Sequence, residues 1–208
     1  MTHPRSSPDT LSPTRLLICG FGPFPGFPDN PASRVVERLK AANWAPERSR
    51  TAYQTIPTTW CGGYRAAAAA RTAFGAQGVL ILGVAGGADS FRVEICARNR
   101  AAIDRPDALG AVHGHKRISA AGPAVAFASG PTEAMVAAIT AAGLPVHTSQ
   151  DAGDYLCNQV FYRLLTESGP APPLTAFLHL PPGLDLDVLE LGAKAAATAL
   201  GGRLVETP

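Results

Sequence analysis

The sequence predicts one α/β domain built on a mainly parallel sheet, and three observations carry that expectation. Short apolar runs of strand length alternate along the chain with stretches of helical composition, the pattern of successive βα units. One run, GVLILGV at residues 78–84, is apolar throughout, as a strand covered on both faces must be. Hydrophobic residues make up 46% of the 208 positions and charged residues 16%, which supplies a sizeable core and excludes a disordered chain.

Each element follows from local chemistry. Residues 1–14 (MTHPRSSPDTLSPT) are polar and Pro-rich; they read as a disordered tail, with no apolar segment of the kind a signal peptide needs. The domain is expected over 15–208. RLLICGF, from Arg15, is a buried strand. The loop GFGPFPGFPDNP ends at a helix start, where Asn30 suits the N-cap and Pro31 the first helical position; that helix should run to about residue 42. TAYQTIP is a second strand. From 58 to about 72 the alanine content of YRAAAAAR predicts a helix. After GVLILGV, FRVEICAR alternates as one strand, with Phe91, Val93, Ile95 and Ala97 on one face and Arg92, Glu94, Cys96 and Arg98 on the other. Residues 99–130 are irregular. PTEAMVAAITAAG is a helix that Gly143 stops. LPVHTS is a strand, DAGDYLCNQVFYRLL turns from loop to helix, LTAFLHL is a strand, and a last helix spans about 184–200. There is no internal repeat and no interior linker.

Several function classes are disfavoured by the same reading. Net charge is +2 and the arginines are scattered, so there is no basic stripe for nucleic acid. The longest apolar runs fall far short of a membrane span. Cys19, Cys61, Cys96 and Cys157 form no C-x-x-C pair and read as free thiols in a reducing cytoplasm. GFGPFPG is a poor phosphate cradle, because Pro23 and Pro25 have no N–H to offer; as the turn after the first strand it lies at the binding edge of the sheet, with Phe21 and Phe24 beside any ligand. His113 and His115 lack the further ligands a metal needs, and a polar loop is the better reading.

Three residues stand out. Cys157 falls in the first turn of its helix, with Asp154 available as a cap; unpaired N–H groups there favour a thiolate, yet a small buried core cysteine fits the position equally well. His179 sits at the C-terminal end of an apolar strand, where α/β sheets place their sites, although a buried histidine bonded to a carbonyl would look the same. Glu94 lies mid-strand and needs water or a partner, with Arg92 or Arg98 as the bland choice. Together the three supply a nucleophile, a base and an orienting carboxylate.

Four segments, CGFGPFPGFPDNP, LGVAGGADSFRVEICARN, SQDAGDYLCNQVFY and AFLHLP, in that order and spanning about residues 16–200, resemble the motifs of the pyroglutamyl peptidase type I family, the pyrrolidone carboxyl peptidases, which are cysteine peptidases. The resemblance implies an α/β/α sandwich, no cofactor, a cytosolic and often tetrameric protein, and peptides with N-terminal pyroglutamate as substrates. It makes Cys157 the nucleophile, His179 the base and then the acid, and Glu94 the group that orients the imidazole. Phe21 and Phe24 match aromatics that hold the lactam ring, and Tyr155 matches another pocket aromatic. Three positions depart: Val84 stands where the family has a glutamine beside the lactam, Ile95 where it has an arginine, and IDRPDA replaces A-R-I-P-D-N, leaving Asp104 or a shifted Arg105 in place of an arginine. The expected activity is a cysteine exopeptidase acting through a thioester. The alternatives are a cysteine amidohydrolase of altered acyl specificity, suggested by Val84, and a binding protein on the same scaffold.

Overall fold

A computed structural model describes residues 12–206. Residues 1–11 of the expected tail lie outside the described residues. The first strand, β1 (Thr14–Phe21), is followed by α1 (Pro31–Ala41), β2 (Ser49–Ile56), α2 (Gly62–Phe74), β3 (Gly78–Val84), β4 (Phe91–Glu94), β5 (Cys96–Arg98), β6 (Val125–Phe127), α3 (Thr132–Ala141), β7 (Val146–Ser149), α4 (Leu156–Thr166), β8 (Leu174–Leu180) and α5 (Leu186–Glu206). Six strands form one sheet in the order β2-β1-β3-β8-β4-β7, and β5 and β6 form a separate antiparallel pair. Every pairing in the large sheet is parallel except β8 with β4.

Alternation along the strands divides the core in two. Leu16, Ile18, Leu80, Leu82 and Leu178 face a cluster closed by α1, α3 and α5. Leu17, Cys19, Phe21, Ile81 and Phe177 face the opposite cluster, closed by α2 and α4. The result is a three-layer α/β/α sandwich with a mixed, mostly parallel sheet, as the sequence predicts. Close contact of the layers uses glycine where a side chain cannot fit: a Cβ at Gly20 would collide with the Ala32 carbonyl at the start of α1.

Local signals held at several boundaries. Asn30 caps α1, its side chain accepting from the Ala32 N–H at 3.0 Å while its Nδ2 donates to the Gly22 carbonyl at 2.8 Å. Gly143 adopts φ +76 just beyond α3.

Other expectations are corrected. FRVEICAR is not one strand. Ile95 still donates its N–H to Ser149, but its carbonyl accepts from Ala128, so the chain leaves the large sheet there and enters the small one. Phe91 and Val93 therefore pack under α3 and α5, whereas Ala97 packs under α4 on the other side. The helix expected from residue 58 begins at Gly62, because Thr58 turns its hydroxyl to the Gly22 carbonyl and Thr59 accepts from the Gly62 N–H. The irregular segment contains β6, which three ordinary residues of loop-like surroundings do not announce. The last helix runs six residues beyond the expected end, to Glu206.

Candidate active site

The C-terminal edges of β1, β3 and β8 meet at one rim of the sheet, the place where parallel strands release their loops. A cleft of about 380 Å³ opens there, lined by the aromatic loop after β1, by Val84 and the turn after β3, by residues 151–153 and 155–157 leading into α4, and by His179. Of the residues singled out in the sequence, Phe21, Phe24, Val84, Tyr155, Cys157 and His179 all line it. Glu94 lies beneath, fully buried.

Glu94 and His179 reach each other through strand register. β4 runs antiparallel to β8, pairing Arg92 with His179 and Glu94 with Phe177. Residues two apart on one strand share a face, so Glu94 projects on the side of His179. Its Oε1 lies 2.8 Å from His179 Nδ1. The bland partners, Arg92 and Arg98, make no ion pair with it among the described residues. The other nitrogen of the ring remains for Cys157. Burial disfavours the imidazolium, but hydrogen bonds and charge from Cys157 and Glu94 outweigh it, and the His179 pKa is raised to about 9.

Cys157 is the second residue of α4. Asp154 does not cap this helix as expected: Tyr155 takes the N-cap position without a side-chain cap bond, and Asp154 instead meets Arg105 at 3.4 Å. Among the described residues the first-turn N–H groups thus have no side-chain acceptor, which leaves the positive end of the helix facing the cleft. Asn158, fully buried, anchors this turn by donating to the Arg98 and Arg100 carbonyls at 2.8 and 2.9 Å and accepting from the Arg98 N–H at 2.8 Å. The thiol rests over Gly83, where an added Cβ would come within 3.0 Å of Sγ.

The walls are aromatic. Phe24 and Phe27 exchange backbone hydrogen bonds and stack at 5.2 Å, closing the loop into a small flap. Tyr155 stands edge-on to Trp60 at 5.3 Å and donates its hydroxyl to the Pro106 carbonyl at 2.6 Å. Arg105 lies over the Tyr155 ring at 4.3 Å and lines the cleft, while Asp104 is exposed; of the two residues of the departing segment, the arginine is the one at the site. Ile95 lines no part of the cleft.

Sequence reasoning missed Phe27, Gly83, Arg92 and Asn158. Phe27 was visible as a third phenylalanine in a Gly/Pro loop. The others depend on which strands become neighbours, and no local pattern encodes that. His113 places its Nδ1 2.5 Å from the His115 carbonyl, and no metal-binding group of His, Cys, Asp or Glu occurs among the described residues.

A thiol at a helix start, a buried imidazole and a carboxylate in series, set at the rim of an α/β/α sandwich, are the arrangement of a cysteine hydrolase. The chain belongs to the pyroglutamyl peptidase family, a family of cysteine peptidases: the family model matches residues 14–193. The pyrrolidone-carboxylate peptidase of Gloeobacter violaceus is 34% identical over 168 residues, covering 80% of this chain and 81% of that one. That of Escherichia fergusonii is 33% identical over 193 residues, covering 92% and 89%. The crystal structure of pyroglutamyl peptidase I from Bacillus amyloliquefaciens superposes with a TM-score of 0.84 at 28% identity, covering 91% and 97%.

Proposed function

We propose that this protein hydrolyses the amide bond after an N-terminal pyroglutamyl residue, with Cys157 as nucleophile, His179 as base and then acid, and Glu94 as the group that fixes the imidazole. The observation that carries this reading is the Glu94–His179–Cys157 series at the floor of an aromatic cleft.

The chemistry follows the geometry. Transfer of the thiol proton to the imidazole gives a thiolate and an imidazolium, the pair favoured by a raised His179 pKa. Sulfur attacks the pyroglutamyl carbonyl carbon, and the carbonyl oxygen takes the negative charge. Peptide N–H groups in the first turn of α4, that of Cys157 among them, are available to stabilise it. Collapse expels the amine, which takes the proton from His179, and leaves a thioester. Water, losing a proton to the now neutral imidazole, releases pyroglutamate. A blocked residue carries no N-terminal charge, so Phe21, Phe24 and Tyr155 favour it over a free amino terminus, whose ammonium would lose water without gaining a partner.

Val84 supports a second reading, a cysteine amidohydrolase of altered acyl specificity, since it offers the lactam no hydrogen bond. Four thiols without a disulfide, and no helix among the described residues long and apolar enough to cross a membrane, support a cytoplasmic setting. Exposed Leu109, Val112 and Phe127 support assembly into a homo-oligomer, a dimer or tetramer.

Release of a chromogenic amine from a pyroglutamyl amide, with prolyl and alanyl amides beside it, tests the reading. Release from the pyroglutamyl amide by wild type but not by Cys157→Ala is expected. Faster release from another acyl amide would favour altered specificity, and no release from any would overturn the peptidase reading.

A further inference from the structure

The strand order places a second recognition element on the far side of the thiol. Along the rim, β1, β3, β8 and β4 present Phe21, Val84, His179 and Arg92 in turn. The Cys157 sulfur sits over Gly83 and beside Phe177, between β3 and β8. The aromatic half of the cleft lies on the β1 and β3 side, where the proposed reaction seats the acyl group. The leaving portion then extends past His179, the group that protonates it, and its first residue comes to lie against β4. Arg92 is the residue there.

Arg92 is a cation in search of a partner. It lines the cleft directly opposite His179 in the β4–β8 register and is half-buried. Its Nε is buried without a hydrogen-bond partner, and the side chain makes no hydrogen bond or ion pair among the described residues. Neither neighbouring carboxylate bonds to it: Glu94 directs Oε1 to His179 and leaves a buried Oε2 without a hydrogen bond, and Asp151 pairs with Arg100 at 2.5 Å. The other arginine of the cleft, Arg105, already has Asp154 and the Tyr155 ring. A half-buried guanidinium with an unpaired, water-shielded Nε gains from an anion, and its planar fork of donors matches a carboxylate.

We propose that Arg92 binds a carboxylate on the residue immediately after the scissile bond, so that the enzyme favours pyroglutamyl substrates with an acidic leaving portion. This rests on the pyroglutamyl-peptidase reading above. The carboxylate has two possible sources, the free α-carboxylate of a dipeptide or the side chain of an acidic residue, and the shared chemistry is a planar anion within reach of β4.

Two matched pairs distinguish the sources: pyroglutamyl-alanine against its C-terminal amide, and pyroglutamyl-aspartyl amide against pyroglutamyl-asparaginyl amide. For wild type, kcat/KM should favour the acid by about tenfold or more in at least one pair, and the pair that shows it identifies the source. The preference should fall as sodium chloride is raised from about 0.05 to about 0.5 M. In Arg92→Gln it should collapse to within about twofold, chiefly through KM, and Arg92→Lys should keep part of it. Flat ratios in wild type on substrates that are cleaved would overturn this inference alone. An equal loss on all four substrates in Arg92→Gln would overturn it too, making Arg92 a partner of Glu94 instead. If wild type cleaves none of the four, the pyroglutamyl reading falls and this inference with it.

Discussion

Glu94 Oε1 lies 2.8 Å from His179 Nδ1, in a pair whose carboxylate is wholly buried and whose imidazole is nearly so. A carboxylate so placed holds the ring in the tautomer that leaves the other nitrogen facing the thiol. Glu94→Gln keeps the volume and removes the charge. It should lower kcat/KM for a pyroglutamyl amide by about 10²–10⁴-fold, less than Cys157→Ala, with the fold retained by circular dichroism. If the variant unfolds, Glu94 is a structural partner first.

The raised pKa of His179 has a stability consequence with a definite sign. The folded value is about 9 against an ordinary 6.5, so the folded state binds the proton more tightly. That contribution is fully present below about pH 6.5 and is lost as pH rises through about 9. Glu94→Gln removes one source of the shift. The urea-midpoint advantage of wild type over this variant should therefore shrink between about pH 6 and about pH 9. An advantage that grew over that range would mean the imidazole is held neutral.

The four thiols should separate by reactivity. Cys19 is fully buried and burial pushes its pKa to about 12; Cys96 is buried, raised by the same cause, and directs its thiol to the Gln150 carbonyl at 3.4 Å. Cys61 is exposed, and Cys157 is half-exposed beside His179. Iodoacetamide at neutral pH should label Cys157 fastest, then Cys61, and spare the other two until the protein unfolds. Activity should disappear in step with Cys157 labelling. Labelling of Cys61 first, with activity intact, would argue against an activated thiol at position 157.

Gly83 is small because the proposed nucleophile needs the space. A Cβ there would stand 2.8 Å from the Phe177 ring and 3.0 Å from the Cys157 sulfur, under ordinary contact distance in both directions. Gly83→Ala should shift the thiol off its line to His179. The expected result is a loss of about tenfold or more in kcat, at a stability cost of about 1–3 kcal/mol by thermal unfolding. Wild-type kcat in this variant would show that the thiol has room to spare.

The legible parts of this protein were those written in local pattern. GVLILGV announced a central strand, Asn30-Pro31 a helix start, and the strand-terminal His179 and helix-initial Cys157 a rim site. Phe21, Phe24 and Tyr155 entered through resemblance to a family, and all three line the cleft. What stayed hidden depends on long-range pairing. The break at Ile95 arises because its two backbone groups bond to different sheets, Ser149 on one side and Ala128 on the other. Nothing in an alternating FRVEICAR encodes that switch. Arg92 likewise read as one charge on a polar face, and only the antiparallel β4–β8 register sets it beside His179.

Asn158 shows how the nucleophile's helix is held where the reaction needs it. Its amide satisfies the Arg98 and Arg100 carbonyls and the Arg98 N–H across the join between α4 and β5, with no exposure to water. A side chain of similar size without polar atoms would take this partner from the Arg98 N–H and the Arg100 carbonyl, and leave the Arg98 carbonyl only the Arg100 N–H at 2.8 Å. Asn158→Leu should cost about 2–4 kcal/mol in urea unfolding, and Asn158→Asp, which keeps the acceptor but sets a carboxylate against two carbonyls, should cost at least as much. The effect on catalysis should be separable from that on stability. At a temperature where Asn158→Leu remains folded, kcat should fall because the first turn of α4 carries both the sulfur and its nearby N–H donors, and loosening it misplaces them together. Unchanged kcat in a folded, destabilised variant would confine Asn158 to holding the fold.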